Sequence, residues 1–164
     1  EQYLRDLRIA MIYEGTNHIQ ALDLVGRKLR LNNGRAYTVF GKRVREAVKA
    51  AEAHEATKAF AAQLGAKIDA LDEATVALGK RAAEDPEVTG ASASTYLTAF
   101  GLVVCGFTLL TQATHAVSAK TANEREKLGV TRHFFDRVLP EIEGHFSILA
   151  SPHGAITEFA DEDF

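Results

Sequence analysis

Residues 100–110, FGLVVCGFTLL, form the most apolar run in the sequence. The run contains Gly101 and Gly106 and is too short to cross a bilayer, which needs about 20 apolar residues. A short apolar run inside a longer stretch of helix-forming residues is typical of a helix in a protein core. The sequence therefore predicts a buried helix here.

The sequence on both sides of this run predicts further helices. Helix-forming residues dominate, there are three prolines, and no run alternates apolar and polar residues as a strand does. Residues 84–90, EDPEVTG, are expected to separate two helices, and Pro140 is expected to kink or break the last one. We therefore predict an all-α fold whose main part is an antiparallel four-helix-type bundle. Its four segments are expected at roughly 35–64, 67–84, 91–120 and 122–150.

Two shorter helices are expected before the bundle. Residues 2–13 and 17–31 have apolar side chains at helical spacing, residues 14–16 interrupt the pattern, and NNG at 32–34 ends it. The predicted organisation is an N-terminal part at 1–34, a bundle domain at 35–150 and an acidic tail at 151–164. Because the chain starts with Glu1 inside a helical pattern, we expect it to be a piece of a longer protein.

Composition excludes several kinds of protein. The net charge of −3 argues against a nucleic-acid-binding surface. The single cysteine, Cys105, excludes an internal disulfide and favours a reducing compartment, so we expect a cytoplasmic protein. Cys105 is expected in the core. The six histidines are scattered, and Glu141 with His145 falls short of the three or four ligands of a metal site, so no metal is predicted.

The segment YEGT, residues 13–16, has the residue types of a reactive site. An apolar environment raises the pKa of a carboxyl such as that of Glu14 towards the range of a general base. Gly15 allows a ligand to approach the backbone, and Thr16 precedes a helix whose free N–H groups can hold an anion. The alternative is an ordinary corner between two helices with a solvated glutamate, and four residues alone leave both interpretations open.

A wider comparison of this region points to one enzyme family. The stretch RDLRIAMIYEGTNHIQ, residues 5–20, resembles the signature near the end of the acyl-CoA dehydrogenases. The shared positions are Arg5, Asp6, Arg8, Ile9, Tyr13, Glu14, Gly15, Thr16, Ile19 and Gln20. The resemblance implies oxidation of an acyl-CoA thioester to 2-enoyl-CoA with FAD as cofactor.

The resemblance also implies roles for the residues of the motif. Glu14 would be the catalytic base that removes the α-proton, and Tyr13 and Gly15 would border the thioester. Thr16, Asn17 and His18 would lie along the FAD. Position 18 is often Gln in the family, so His18 is a departure from the pattern.

The remainder of the chain is similar to the extra C-terminal helical domain of the larger acyl-CoA dehydrogenases, such as the 3-methylmercaptopropionyl-CoA dehydrogenase type. The stretch RHFFDRVLP, residues 132–140, carries much of this likeness. The resemblance implies an acyl-CoA substrate, a homodimer or higher homo-oligomer, and electron-transfer flavoprotein as electron acceptor. Since the family's other domains supply most FAD and CoA contacts, this chain alone is expected to be inactive. The alternative is a non-catalytic helical interaction or oligomerisation domain.

The segment GKRVREAVKAAEAHEATK, residues 41–58, begins with a strongly basic half. The simplest interpretation is a solvated helix face with internal ion pairs. A surface for CoA phosphates or for a partner subunit is the second interpretation.

Overall fold

The structure, a computed structural model, describes residues 2–11, 17–154 and 162. Within these residues the fold consists of helices and contains no strand, which confirms the predicted all-α class. The α-helices are α1 (Gln2–Leu7), α2 (Asn17–Gly26), α3 (Arg35–Glu52), α4 (Glu55–Glu84), α5 (Glu87–Ala119), α6 (Glu124–His133) and α7 (Ile142–Ala150). Short 3-10 helices cover Arg8–Met11, Lys28–Arg30 and Leu139–Glu141, and a π-helix covers Phe134–Val138.

The helix α5 lies at the centre of the bundle and contacts α2, α3, α4, α6 and α7. The apolar run predicted to be a buried helix is the middle of this 33-residue element. Its buried residues recur every three or four positions and so form one stripe: Ala93, Tyr96, Ala99, Val103, Gly106 and Leu110. By length and composition α5 could cross a membrane, but core helices of globular domains meet the same criterion, and a third of its most apolar window is buried here.

Cys105 is exposed, so the prediction that it lies in the core was wrong. The apolar run continues around the whole circumference of α5, whereas the neighbouring helices cover only part of it. Val103 and Gly106 face the core, and the 100° turn between successive residues carries Cys105 to the solvent side.

The first corner of the bundle lies earlier than the sequence predicted. α3 ends at Glu52 and α4 begins at Glu55, so the break expected near 65–66 is wrong. The buried hydroxyl of Thr57 donates to the carbonyl of Ala51 at 2.7 Å and closes this corner. Gly65 lies inside α4, and a Cβ at this position would make an ordinary van der Waals contact with Val48 of α3, at 3.7 Å.

The second corner is also shorter than predicted. Only Asp85 and Pro86 separate α4 from α5, whereas the separation was expected at 84–90. A carboxylate oxygen of Asp85 accepts the backbone N–H of Glu87 at 2.9 Å, and this bond lowers the pKa of Asp85 together with its contact to His153. Pro86 is tolerated because the first residues of a helix need no N–H partner.

The predicted break at Pro140 is confirmed. α6 passes into the π-helix and then the 3-10 helix before α7 begins. Phe134 and Phe135 are adjacent in sequence, yet both are buried, and both lie close to Gly106 of α5. The irregular segment therefore fills the core opposite the central helix.

The chain before the bundle packs onto the same core. α2 is followed by the 3-10 helix, and Asn32, Asn33 and Gly34 adopt positive φ of 51°, 54° and 77° before α3, which confirms the predicted helix end. Ala21 and Val25 of α2 belong to the core cluster. The domain boundaries at 34 and 150 stay predictions.

Candidate functional site

The central residues of the predicted site, Tyr13, Glu14, Gly15 and Thr16, lie outside the described residues. Asn17 and His18 are described, and they are the first two residues of α2. The geometry of the site is therefore built from the position of α2, because this helix begins at the residue after the motif.

Two apolar residues fix α2 against the bundle. Ala21 and Val25 are spaced by four positions and so share one helix face, and their exposed fractions are 0% and 4%. Near the end of the helix, the guanidinium of Arg27 donates to the carboxylate of Asp23 at 2.6 Å and 3.0 Å. This hydrogen bond lowers the pKa of Asp23. Burial of Ala21 and Val25 in the middle of α2 thus holds the helix against the bundle.

His18 forms a contact that the sequence did not suggest. Its Nδ1 lies 2.8 Å from the hydroxyl of Ser94, which is 76 positions away on α5. Either atom can be the donor, depending on the imidazole tautomer. His18, which departs from the family pattern, therefore links the start of α2 to the central helix. No local sequence pattern indicated Ser94 as its partner.

The start of α2 carries two of the residues, Asn17 and His18, that were predicted to lie along FAD. Asn17 and His18 are exposed, and the Asn17 amide carries hydrogen-bond donors. Free N–H groups and the positive end of a helix dipole favour a pyrophosphate. The donor types present at the start of α2 therefore fit the predicted cofactor.

A partly buried polar cluster near α2 was not predicted from the sequence. Thr75 of α4 lies 2.6 Å from the hydroxyl of Tyr96 and donates to that of Tyr37 at 3.2 Å. The Tyr37 hydroxyl donates to Asp72 at 2.7 Å, and Arg45 donates to the other oxygen of Asp72 at 2.6 Å. The cluster thus joins α3, α4 and α5.

This polar cluster is structural rather than reactive. Burial raises the pKa of Tyr96 to about 12 and raises the pKa of Tyr37 as well, so both phenols stay protonated at neutral pH. Among the described residues no buried side-chain nitrogen or oxygen lacks a partner. The sequence feature that could have indicated the cluster is a pair of polar residues, Asp72 and Thr75, at helical spacing on an otherwise apolar face of α4.

The described residues contain no group of three or more metal-ligand side chains.

Two open hollows lie away from α2. One of about 360 Å³ lies between α4 and α7 and is lined mainly by Ala70, Ala74, Ala77 and Phe146. The other, of about 450 Å³, lies along the outer face of α3.

Comparison with known families identifies the class of this helical domain. The family model described as acetyl-CoA dehydrogenase C-terminal like matches residues 40–160. This range covers α4 to α7 and most of α3. The chain therefore belongs to the acetyl-CoA dehydrogenase C-terminal-like family.

Two curated proteins match along nearly the whole chain. The chain is 29% identical over 178 aligned positions to the broad-specificity linear acyl-CoA dehydrogenase FadE5 of Mycobacterium tuberculosis, with 100% of this chain and 29% of that protein covered. It is 31% identical over 170 positions to the 3-methylmercaptopropionyl-CoA dehydrogenase of Ruegeria pomeroyi, with 98% of this chain and 27% of that protein covered. The chain thus spans less than a third of the length of these relatives. Both matches confirm the resemblance recognised in the sequence.

Proposed function

We propose that this chain is the C-terminal part of an FAD-dependent acyl-CoA dehydrogenase that oxidises an acyl-CoA thioester to 2-enoyl-CoA. The observation that carries the proposal is the Tyr13–Thr16 motif directly ahead of α2, in a chain of this family. The names of the two relatives support the reaction class.

In the proposed reaction, Glu14 is the base. Its carboxylate takes the α-proton of the thioester, and the β-hydrogen leaves as hydride, so a C–C single bond becomes a double bond. FAD, when bound, supplies the hydride acceptor. Tyr13 and Gly15 border the thioester, and Gly15 leaves room for it beside the backbone.

The start of α2 serves the cofactor side of the proposed site. Thr16, Asn17 and His18 would hold the FAD, and the positive end of the α2 dipole would favour its pyrophosphate. The anchoring of α2 through Ala21 and Val25 supports this role, because an anion site requires donors that do not move. The contact of His18 with Ser94 supports it further by joining the site to α5.

The bundle has a supporting role in this proposal. It packs against the remainder of the enzyme or a second subunit and limits access to the acyl site, within a homodimer or higher homo-oligomer. Electron-transfer flavoprotein is proposed as the electron acceptor and the cytoplasm as the location. The second candidate, a non-catalytic interaction domain, is favoured by the single core cluster that runs from α2 to α7.

The change Glu14→Gln in the full-length enzyme tests the proposal. A carboxamide has the size of the carboxylate but cannot take the proton, so we expect dehydrogenation to fall by about 100- to 10,000-fold. Flavin absorbance should be unchanged, since Glu14 is not assigned to FAD binding. Turnover is measured with a dye acceptor on acyl-CoA substrates.

The matched control is Glu126→Gln on the exposed side of α6, which should retain full activity. Unchanged turnover in Glu14→Gln would remove Glu14 from the mechanism and favour the interaction domain. The 164-residue chain, assayed alongside with added FAD, is expected to be colourless and inactive.

A further inference from the structure

A side-chain hydrogen bond joins the first turn of α2 to the central helix of the bundle. The Nδ1 of His18 lies 2.8 Å from the hydroxyl of Ser94, which belongs to α5. Both residues are exposed, so the bond lies at the rim of the contact between the two helices. Ser94 is within the range that the family model matches, whereas His18 precedes that range. The bond therefore connects the bundle with the segment that carries the predicted site.

The place of His18 on α2 explains what this bond adds. His18, Ala21 and Val25 recur at helical spacing, so their side chains share one face of the helix. Ala21 and Val25 are buried against the bundle, whereas Asn17 and His18 are exposed. The ends of a helix fray first, because the terminal N–H and C=O groups have no partner within the helix. The hydrogen bond thus adds a contact to the bundle at the end of α2 where burial contributes least.

A serine hydroxyl suits the imidazole of His18 in each of its protonation states. The hydroxyl can donate to an Nδ1 that carries no proton, and it can accept from an Nδ1 that carries one. In either case the bond restricts rotation of the ring. A hydrogen bond to one ring nitrogen also fixes the orientation of histidines that hold metals, and losing it weakens the binding that those histidines provide. The same physical effect applies to a histidine that holds an organic cofactor.

We propose that Ser94 is a positioning residue for the flavin, because it holds His18 and thereby fixes the first turn of α2. This inference rests on the proposed function, in which Thr16, Asn17 and His18 hold the FAD. Groups that are already fixed lose less conformational freedom when their ligand binds. Loss of the Ser94 hydroxyl should therefore weaken FAD binding. The bundle is then a part of the flavin site and does more than cover it.

The change Ser94→Ala in the full-length enzyme tests this inference. Ser94 is exposed and alanine favours helices, so the variant should keep its fold, as checked by circular dichroism. We expect FAD to leave the variant about 2- to 10-fold faster, which corresponds to the loss of one hydrogen bond. Release is followed by the rise in flavin fluorescence after dilution of the holoenzyme.

The matched control is Ser118→Ala. Ser118 is also an exposed serine of α5, but its hydroxyl donates to the carbonyl of His115 in the same helix. The two changes remove the same group from the same helix, and only one of them removes a bond to α2. Ser118→Ala should release FAD at the wild-type rate.

Two further measurements distinguish positioning through His18 from a general loss of stability. Ser94→Thr keeps a hydroxyl and should restore slow release of FAD. Ser94→Ala should have no further effect in enzyme that already carries His18→Ala, because the partner of the hydroxyl is then absent. In the flavin-free enzyme, Ser94→Ala should accelerate amide exchange at residues 17–20 and leave α4 unchanged.

An unchanged rate of FAD release in Ser94→Ala would overturn the inference, as would equally fast release from Ser94→Thr or Ser118→Ala. The same acceleration with and without His18→Ala would also overturn it, since Ser94 would not act through His18. An unmodified enzyme that binds no FAD would overturn the proposed function and this inference with it. Turnover that persists in Glu14→Gln would affect only the assignment of the base, because FAD release does not require that residue.

Discussion

Among the described glycines, Gly106 is the one at which an added Cβ would have the closest neighbour. A Cβ at this position would be 3.1 Å from Leu64 Cδ1, 3.5 Å from Phe134 and 3.7 Å from Phe135. Gly101, five residues earlier in α5, would meet nothing within 4 Å. The two glycines look alike in the sequence, where both interrupt one apolar run, but only at Gly106 would an added methyl group crowd its neighbours.

These two glycines provide a matched pair of substitutions. Gly101→Ala should raise the free energy of unfolding by about 0.5–1 kcal/mol, because alanine loses less conformational freedom in a helix. Gly106→Ala should gain less or become destabilising, since the new methyl group presses on Leu64. Urea unfolding of both variants measures the difference. Equal stabilisation by the two changes would contradict the tight contact.

At the site, the sequence predicted residue types better than it predicted contacts. The motif around Glu14 was recognised because its residues are adjacent, and the family match supports it. The contact between His18 and Ser94 joins positions 76 apart, and no local pattern encodes such a pair. The cluster of Tyr37, Thr75 and Tyr96 was not predicted for the same reason, because its hydroxyls come together only when three helices pack.

At the scale of the element, the end of α7 depends on a side chain from another helix. Arg81 of α4 donates to the carbonyl of Leu149 at 2.5 Å and to that of Ser151 at 3.0 Å. The last carbonyls of a helix have no partner within it, so Arg81 supplies what α7 lacks. A salt bridge between Lys67 and Glu143 joins the same two helices further along.

Replacing Arg81 should therefore loosen α7 selectively. Arg81→Ala is expected to lower the free energy of unfolding by about 1–3 kcal/mol, because two carbonyls lose a charged donor. Amide exchange should accelerate over residues 142–150 and stay unchanged in α3. The control Lys67→Ala, which removes a more exposed ion pair, should have the smaller effect. Uniform acceleration of exchange across all helices would contradict this assignment.

The sequence allowed the presence of the helices to be predicted, whereas it did not allow all of their ends to be predicted. Composition and period indicated an all-α fold, and Pro140 and the NNG turn marked two true ends. The corner at residues 53–54 lies in AEAHEAT, which contains neither glycine nor proline, and a hydrogen bond from Thr57 closes it. The break expected between residues 64 and 67 does not exist, because α4 runs without interruption over Glu55–Glu84.

At the scale of the whole molecule, the bundle core is completed by residues that precede it. α2 contributes Ala21 and Val25 to the core cluster, and Leu22, Leu24 and Leu29 pack against it. A hollow of about 150 Å³ lies between Val25, Leu29 and residues of α4 such as Leu78. The bundle at 35–150 therefore exposes part of its own core when α2 is absent.

Removal of residues 1–33 should show this dependence. The remaining chain is expected to keep its helices but to unfold at lower urea concentration, because apolar surface around Leu78 becomes exposed. Removal of residues 1–11 alone, which deletes the exposed helix α1, should have little effect on the midpoint. Equal midpoints for the two truncations would show that α2 adds nothing to the bundle.

The central place of α5 has a consequence for synthesis on the ribosome. Three of its five neighbours, α2, α3 and α4, precede it in the chain, so they have emerged before α5 does. A helix that is apolar enough to enter a bilayer therefore meets its covering helices as soon as it leaves the exit tunnel. The order of the helices therefore allows part of the apolar surface of α5 to be covered while the chain is still being made.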